Sequence, residues 1–326
     1  MMSYFYNLYH PEIFQGNLNK KNYFEGWYYK VVNRDQSSAL AIIPGVSIGR
    51  EVPDHAFVQV LDGIKCKSYY YRYDIEEFNA SDKILDVHIH NNHFDINGFT
   101  IDTPDFKGKI SFRDRHPLKS SLLSPGIMGW YSFTPMMECY HGVMSMHHRL
   151  QGEIQCQGDR LDYNGGTGYH EKDWGTSFPK CWIWAHSNHF EADQPTSLMA
   201  SVAHIPWMGH FFIGFIVAFL FDGKVNIFAT YNGSRKKVFI SDDDVHLSFK
   251  RKNYQLDIIA HRAPGADLRS PIKGLMTGKV NESLKSVLEV KYSINGEVKY
   301  EGKGTSAGLE VAGDTTVLLS EKWSKK

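Results

Sequence analysis

Short runs in which apolar and polar residues alternate recur along the whole chain, and many end in a residue pair suited to a tight reversal. Residues 38–43, 56–61, 68–75, 84–89, 94–101 and 106–112 have this form, followed by 129–133, 142–150, 152–157 and 160–163. Beyond residue 180 the pattern resumes at 198–204, 210–221, 224–231, 237–240, 245–250, 254–261, 286–294 and 297–302. A period of two sends successive side chains to opposite faces of a strand. The punctuation is Asp62-Gly63, Asn97-Gly98, Asn164-Gly165-Gly166, Asn232-Gly233 and Asn295-Gly296. Such pairs accept the positive φ of hairpin turns with little strain. No sustained 3.6-residue period competes. The pattern therefore predicts an all-β, antiparallel protein. The turn at Gly175–Pro179 is the expected boundary between domains at 1–177 and 178–326, and no low-complexity linker separates them, so the halves are expected to pack tightly.

The densest stretch is GYHEKDWGTSFPKCWIWAHSNHF, residues 168–190, with two carboxylates, three histidines, three tryptophans and an asparagine. At strand period Tyr169, Glu171 and Asp173 share one face, with His170, Lys172 and Trp174 on the other. After the turn, Trp182, Trp184, His186, Asn188 and Phe190 share a face, opposite Cys181, Ile183 and Ala185. Residues 22–32, NYFEGWYYKVV, echo this: Glu25, Trp27 and Tyr29 lie on one side, Gly26, Tyr28 and Lys30 on the other. The two aromatic strands look like the first strands of related halves. Acids close to an indole wall would feel an apolar pocket, which raises a carboxyl pKa by desolvation. MECYHG adds Glu138 and Tyr140 on one parity and His141 on the other. Glu25 is expected to pair with Lys30 or Arg149.

The 326 residues are enough for two substantial cores. Lysine plus arginine balances aspartate plus glutamate at 36 each, so no net field points to nucleic acid. Aromatics make up 14% of the chain, which suits strands and an apolar binding site. Cysteines 66, 139, 156 and 181 lack CxxC spacing and read as reduced thiols. Residues 1–16 lack a basic start and apolar run, which makes a cytoplasmic location the expectation. Ile205–Phe221 carries no formal charge but holds Pro206, Gly209 and Gly214 and is followed by Asp222-Gly223. It reads as two buried strands, not a spanning helix.

FEGWYYKV, GWYSFTPMMECYHGVMSM, the 168–190 block and TSAGLEVAG together resemble the tocopherol cyclase family, a group similar to lipocalin-like carotenoid hydratases and fungal cyclases that promote Diels–Alder reactions. The resemblance implies two lipocalin-like antiparallel β-barrel halves with an apolar cleft. It also implies an elongated isoprenoid or prenylated-quinol substrate, and chemistry with no metal or organic cofactor. An apolar substrate adds an expectation of transient contact with a membrane surface.

Closing such a ring, or hydrating a trisubstituted alkene, needs an acid able to protonate carbon. It also needs aromatic faces for the developing cation, each worth roughly 0.5–2 kcal/mol. Glu171 or Asp173 is the expected acid, with Tyr169 and Tyr140 as relays. Glu25, Trp27, Tyr28, Glu138, His141, Trp174, Trp182, Trp184 and Asn188 are expected to line the substrate site, drawing on both halves. The rival is a non-catalytic carrier or sensor of an apolar ligand. It gains nothing from cavity-facing carboxylates, because burying them unpaired costs several kcal/mol. A carbohydrate-binding β module would instead present its tryptophans flat and exposed. HIHNNH puts His88 and His90 on one face with His93 at the turn, and His147 and His148 are adjacent. Zinc wants three or four converging ligands, so no metal is expected. No P-loop, dinucleotide fingerprint or nucleophile elbow appears.

Overall fold

Alternation becomes strand almost everywhere it occurs. The computed structural model describes residues 2–49, 53–135, 137–207 and 209–320. Met136 and Met208, which fall within two of the stretches quoted above, lie outside the described residues. The chain is nearly all antiparallel β, in two large sheets. By contact it divides into two units, Met1–Phe178 with Asp267–Lys279, and Pro179–Ala266 with Val280–Lys326.

The first unit opens with a short helix, α1 (Met2–Tyr9). Its strands are β1 (Tyr23–Val32), β2 (Ala39–Ile48), β3 (His55–Asp62), β4 (Lys67–Asp74), β5 (Phe78–Ala80), β6 (Asp86–Ile89), β7 (Asn92–Asp95), β8 (Gly98–Asp102), β9 (Phe106–Arg113), β10 (Cys139–Cys156), β11 (Asp159–Asp162) and β12 (Thr167–Gly175). They pair in the order β4-β3-β2-β1-β12-β10-β9-β8-β7-β6-β5, with β11 against β10. One apolar cluster gathers Trp27, Tyr29 and Val31 from β1, Leu40 and Val58 from one side of this order, and Phe78, Phe94 and Phe112 from the other. Strands far apart in the order thus share a core, so the sheet curls around it. Each large apolar side chain buried there contributes about 1.5–3 kcal/mol.

The second sheet is built from β13 (Trp182–Ser187), β14 (His189–Phe190), β15 (Ser197–Trp207), β16 (His210–Phe221), β17 (Lys224–Ala229), β18 (Arg235–Ile240), β19 (Asp244–Arg251), β20 (Tyr254–His261), β21 (Ala266–Ile272), β22 (Leu275–Ile294) and β23 (Glu297–Ala312), of which β21 from Asp267 onward and the start of β22 belong to the first unit. The central order is β17-β16-β15-β13-β23-β22-β20-β19-β18. Its core takes Ile183 and Ala185 of β13 with Val217, Phe219, Phe249, Ile258 and Leu288. The apolar stretch around Ile205–Phe221 forms the facing ends of β15 and β16, with Asp222-Gly223 turning into β17.

Two expectations are corrected. Residues 129–133 form a turn of 3-10 helix in place of a strand, because Gly129 takes φ +59° and the Tyr131 amide bonds back to Met128. The strands read at 286–294 and 297–302 are longer, running from Leu275 and on to Ala312. β22 starts in the first unit's segment and continues into the second unit.

Candidate active site

β12 lies between β1 and β10, and this pairing sorts its alternating residues into two chemistries. Trp27 faces Lys172 in register and Tyr29 faces His170, while Glu25 and Tyr140 flank Trp174. Trp27 and Tyr29 belong to the core of the unit, so this face looks inward. Here Lys172 forms an ion pair with Glu25, both side chains at 0% exposure. The ammonium also donates to the carbonyls of Pro11 (2.9 Å) and Ile13, and lies 4.7 Å from the Trp27 ring and 4.9 Å from that of Trp174. Glu25 accepts further bonds from the Gln15 amide (2.9 Å), the Gly16 amide (3.0 Å) and the Tyr23 hydroxyl. The Trp27 indole donates to the Glu12 carbonyl at 2.8 Å. Residues 11–16 are therefore tied down over this end of the core by a charge pair whose polar atoms are well satisfied. Desolvation lowers the Lys172 pKa, opposed by the Glu25 charge.

This arrangement corrects two expectations. The partner of Glu25 is Lys172, not Lys30 or Arg149. Arg149 lies 3.9 Å from Asp114 with both side chains exposed. Tyr140 stacks on Trp174 at 5.6 Å and donates to the Thr134 carbonyl at 2.8 Å, on the face away from Glu171 and Asp173.

The opposite face gathers the acids. Glu171 pairs in register with Tyr28 of β1 and Val143 of β10; Asp173 pairs with Gly26 and His141; Tyr169 pairs with Lys30. His141 bridges the two carboxylates. Its Nδ1 is 2.9 Å from Asp173 Oδ1, and its Nε2 is 3.5 Å from Glu171 Oε2. The Tyr169 hydroxyl donates to Glu171 at 2.5 Å, and the Cys139 thiol approaches Asp173 at 3.8 Å. Burial alone would lower the His141 pKa. The charges of Asp173 and Glu171, with the Asp173 hydrogen bond, outweigh it and raise the ring from 6.5 to about 9. Burial, reinforced by Glu171, pushes the Tyr169 phenol well above its usual range. The Cys139 thiol is raised likewise, by burial and Asp173. Both remain donors. The Glu171 side chain is 6% exposed and that of Asp173 26%. With glycine opposite it at position 26, Asp173 is the more open of the two.

The ligand-type atoms of His141, Glu171 and Asp173 lie within 4.8 Å of one another, close enough to suggest a cation site. In the ion-free protein the same three groups can share a proton instead, since the two carboxylates raise the His141 ring between them.

The remaining expected residues fall elsewhere. Trp182 and Trp184 stand on the β13 face away from the core of the second unit, both buried, as is Asn188. The Trp182 indole donates to Glu310 at 2.5 Å, and the Trp184 ring lies over Gly308. Glu282 pairs with Glu310 in register and is buried. Neither acid was singled out from sequence, although Glu310 sits inside the TSAGLEVAG motif. Trp27 and Trp174 share the inward face, so within the first unit the acids lean on an imidazole, and the expected indole wall lies on the other side of the strand. Glu138 is exposed, and its carbonyl accepts from the Thr176 (2.7 Å) and Ser177 (3.2 Å) amides.

Antiparallel sheets in two units, with an imidazole set between two carboxylates in the first, make this an all-β protein with a compact acid–imidazole cluster. The chain belongs to the tocopherol cyclase-like family, whose sequence profile matches residues 119–313. It is 24% identical over 147 residues to the "Probable tocopherol cyclase, chloroplastic" of Oryza sativa subsp. japonica, covering 44% of this chain and 31% of that protein. It is 32% identical over 73 residues to the chloroplastic tocopherol cyclase of Zea mays, covering 22% and 15%. The chain thus spans less than a third of the length of these curated relatives. Among solved structures, CghA with Sch210972 has a TM-score of 0.57 at 12% identity, over 90% of this chain and 89% of that one, a likeness of fold. Among the described residues no helix is long and apolar enough to cross a membrane.

Proposed function

We propose that this protein is a cofactor-independent acid catalyst of the tocopherol cyclase type, cyclising or hydrating a prenylated quinol or similar isoprenoid-like substrate. The observation that carries this reading is the largely buried Glu171–His141–Asp173 cluster, with side chains 6, 14 and 26% exposed. A carrier has no use for two carboxylates and an imidazole mostly withdrawn from water, because a charged group is costly to bury without a task.

The reaction starts with a proton on the Asp173 carboxyl, beside the His141 ring at 2.9 Å. Asp173, the more exposed acid, delivers this proton to the less substituted carbon of a trisubstituted alkene and leaves a tertiary cation. The phenolic oxygen of the same substrate then forms the C–O bond and loses its proton to the Asp173 carboxylate, restoring the starting state. With water as the nucleophile the product is a tertiary alcohol. Either way only a proton moves, and no electrons are exchanged with a cofactor. Glu171, hydrogen-bonded by Tyr169, fixes the imidazolium from behind and acts as a positioning residue. The aromatic face of Tyr28, in register with Glu171, is a candidate for contact with the apolar substrate and its cation.

The test is turnover of a prenylated quinol together with equilibrium binding of the same compound. Asp173→Asn should abolish turnover with binding retained, while Glu171→Gln should reduce turnover and shift its pH profile. Unchanged turnover in both variants would defeat the assignment. A wild-type chain that binds the quinol tightly and never converts it, or any other prenylated compound, would make the carrier the better reading.

A further inference from the structure

HIHNNH invites a pairing of His88 with His90, and the fold changes which residues meet. β6 and β7 form a tight hairpin in which His88 and His93 are directly opposed, with Asp86 next along the same outward face. His90 sits in the turn at φ +52°, and its ring bonds to Glu77 and stacks on Tyr73 at 5.6 Å, out of the way. The His88 and His93 rings are parallel to within 11° at 4.2 Å. Both Nε2 atoms converge on one oxygen, Asp86 Oδ1, at 3.2 Å from His88 and 2.7 Å from His93. All three ligand-type atoms lie within 4.8 Å of one another.

Ligand atoms held about 2.0–2.1 Å from a tetrahedral zinc are about 3.3 Å apart. The two carboxylate–imidazole spacings, 3.2 and 2.7 Å, are already close to that figure, so a cation can enter by side-chain rotation without strand movement. Two imidazole nitrogens and one carboxylate oxygen suit a borderline divalent transition metal better than calcium or magnesium, which prefer all-oxygen shells. The side chains are 38–50% exposed, which leaves the fourth position to water.

We propose that Asp86, His88 and His93 form a binding site for a divalent transition metal of the zinc class, clasping β6 to β7. It makes no use of the acid cluster and does not depend on the proposed reaction. The competing account is simpler: a surface aspartate that accepts from two imidazoles, with no metal affinity worth measuring.

Titration of the tag-free full chain with Zn2+ near neutral pH, followed by calorimetry, separates the two. One site per chain with Kd below about 10 μM is expected, and loss of either imidazole should weaken it at least tenfold, the usual effect of removing a ligand or its support. His88→Asn and His93→Asn should show this, Asp86→Asn a smaller effect, and His90→Asn and His141→Asn none. All the substituted ligands are on the surface, so folding should survive. As an independent readout, Zn2+ should slow amide exchange across residues 86–95 in the wild type and not in His93→Asn. Binding weaker than about 1 mM, binding unaffected by His88→Asn with His93→Asn, or binding lost in His141→Asn would each overturn the proposal.

Discussion

The proton on His141 is a thermodynamic quantity as well as a chemical one, and stability against pH exposes it without any substrate. In the unfolded chain the imidazole titrates near 6.5; in the folded protein, between Asp173 and Glu171, near 9. The folded pKa is the higher, so the group stabilises the fold fully below pH 6.5 and loses that effect as pH rises through 9. A gap of about 2.5 units at 1.36 kcal/mol per unit is about 3 kcal/mol, of which about 2 should be gone by pH 8.5. The window should stop there, because the unfolded chain begins to ionise its cysteines and tyrosines above it while folded Cys139 and Tyr169 resist. Urea unfolding of the wild type and of His141→Asn between pH 6 and 8.5 is the assay. With m-values of about 1–3 kcal/mol/M, the wild-type midpoint for the first unit should fall by about 1–2 M across the window, and the variant's by much less. The slopes are compared, not the absolute stabilities, since the substitution also leaves two carboxylates facing each other. Equal slopes would refute the claim that His141 carries the bridging proton.

On the acid side the sign reverses: burial lowers His147 to about 4, so its contribution is present above pH 6.5 and fades as pH falls toward 4, about 2 kcal/mol lost by pH 5. His147→Asn should flatten the acid limb of the stability curve measured by urea unfolding. Lys172→Met strands a buried carboxylate at Glu25 and should cost about 3–5 kcal/mol, whereas Glu25→Leu combined with Lys172→Met should recover part of that loss, both read by denaturant midpoint. Trp182→Phe keeps an aromatic ring, though a smaller one, and removes the N–H donor to Glu310; a loss of at least about 1.5–3 kcal/mol, confined to the second unit's transition, is expected. Gly274 has φ +83°, and a Cβ there would sit 2.5 Å from the Ile48 carbonyl oxygen, so Gly274→Ala should destabilise the first unit by at least about 1 kcal/mol in the same assay.

Strands and their faces were legible because period-two alternation is local: Tyr169, Glu171 and Asp173 share a face in the structure as they do on paper. Partners were not. Asp173 meets His141 across 32 residues of chain and Lys172 meets Glu25 across many more, and nothing in a one-dimensional pattern states which strands become neighbours. The same limit explains the misplaced indole wall. Strand parity already set Trp174 opposite Glu171, but only the register of β1 shows that Trp27 joins it on the inward side. Glu138 was misjudged for another reason: it precedes the first paired residue of β10, so strand alternation does not govern where its side chain points. Strand spacing sets Asp86 beside His88, but only the hairpin register brings His93 across to both.

The return of Asp267–Lys279 to the first unit has a consequence for synthesis. This hairpin is stitched to residues made long before it: Ser47 donates to the Gly274 carbonyl (2.8 Å), the Gly274 amide to Thr176 (2.6 Å) and the Lys273 amide to Ser177 (2.7 Å), while the Gln59 side chain both donates to and accepts from the Arg269 backbone. At about 5–20 residues per second, a ribosome that has completed residue 178 needs roughly 5–20 s more to deliver this segment. During that interval the nascent first unit holds its curled sheet with one patch uncovered. A chain cut after residue 178 would stay in that waiting state indefinitely, open to whatever else can cover the patch.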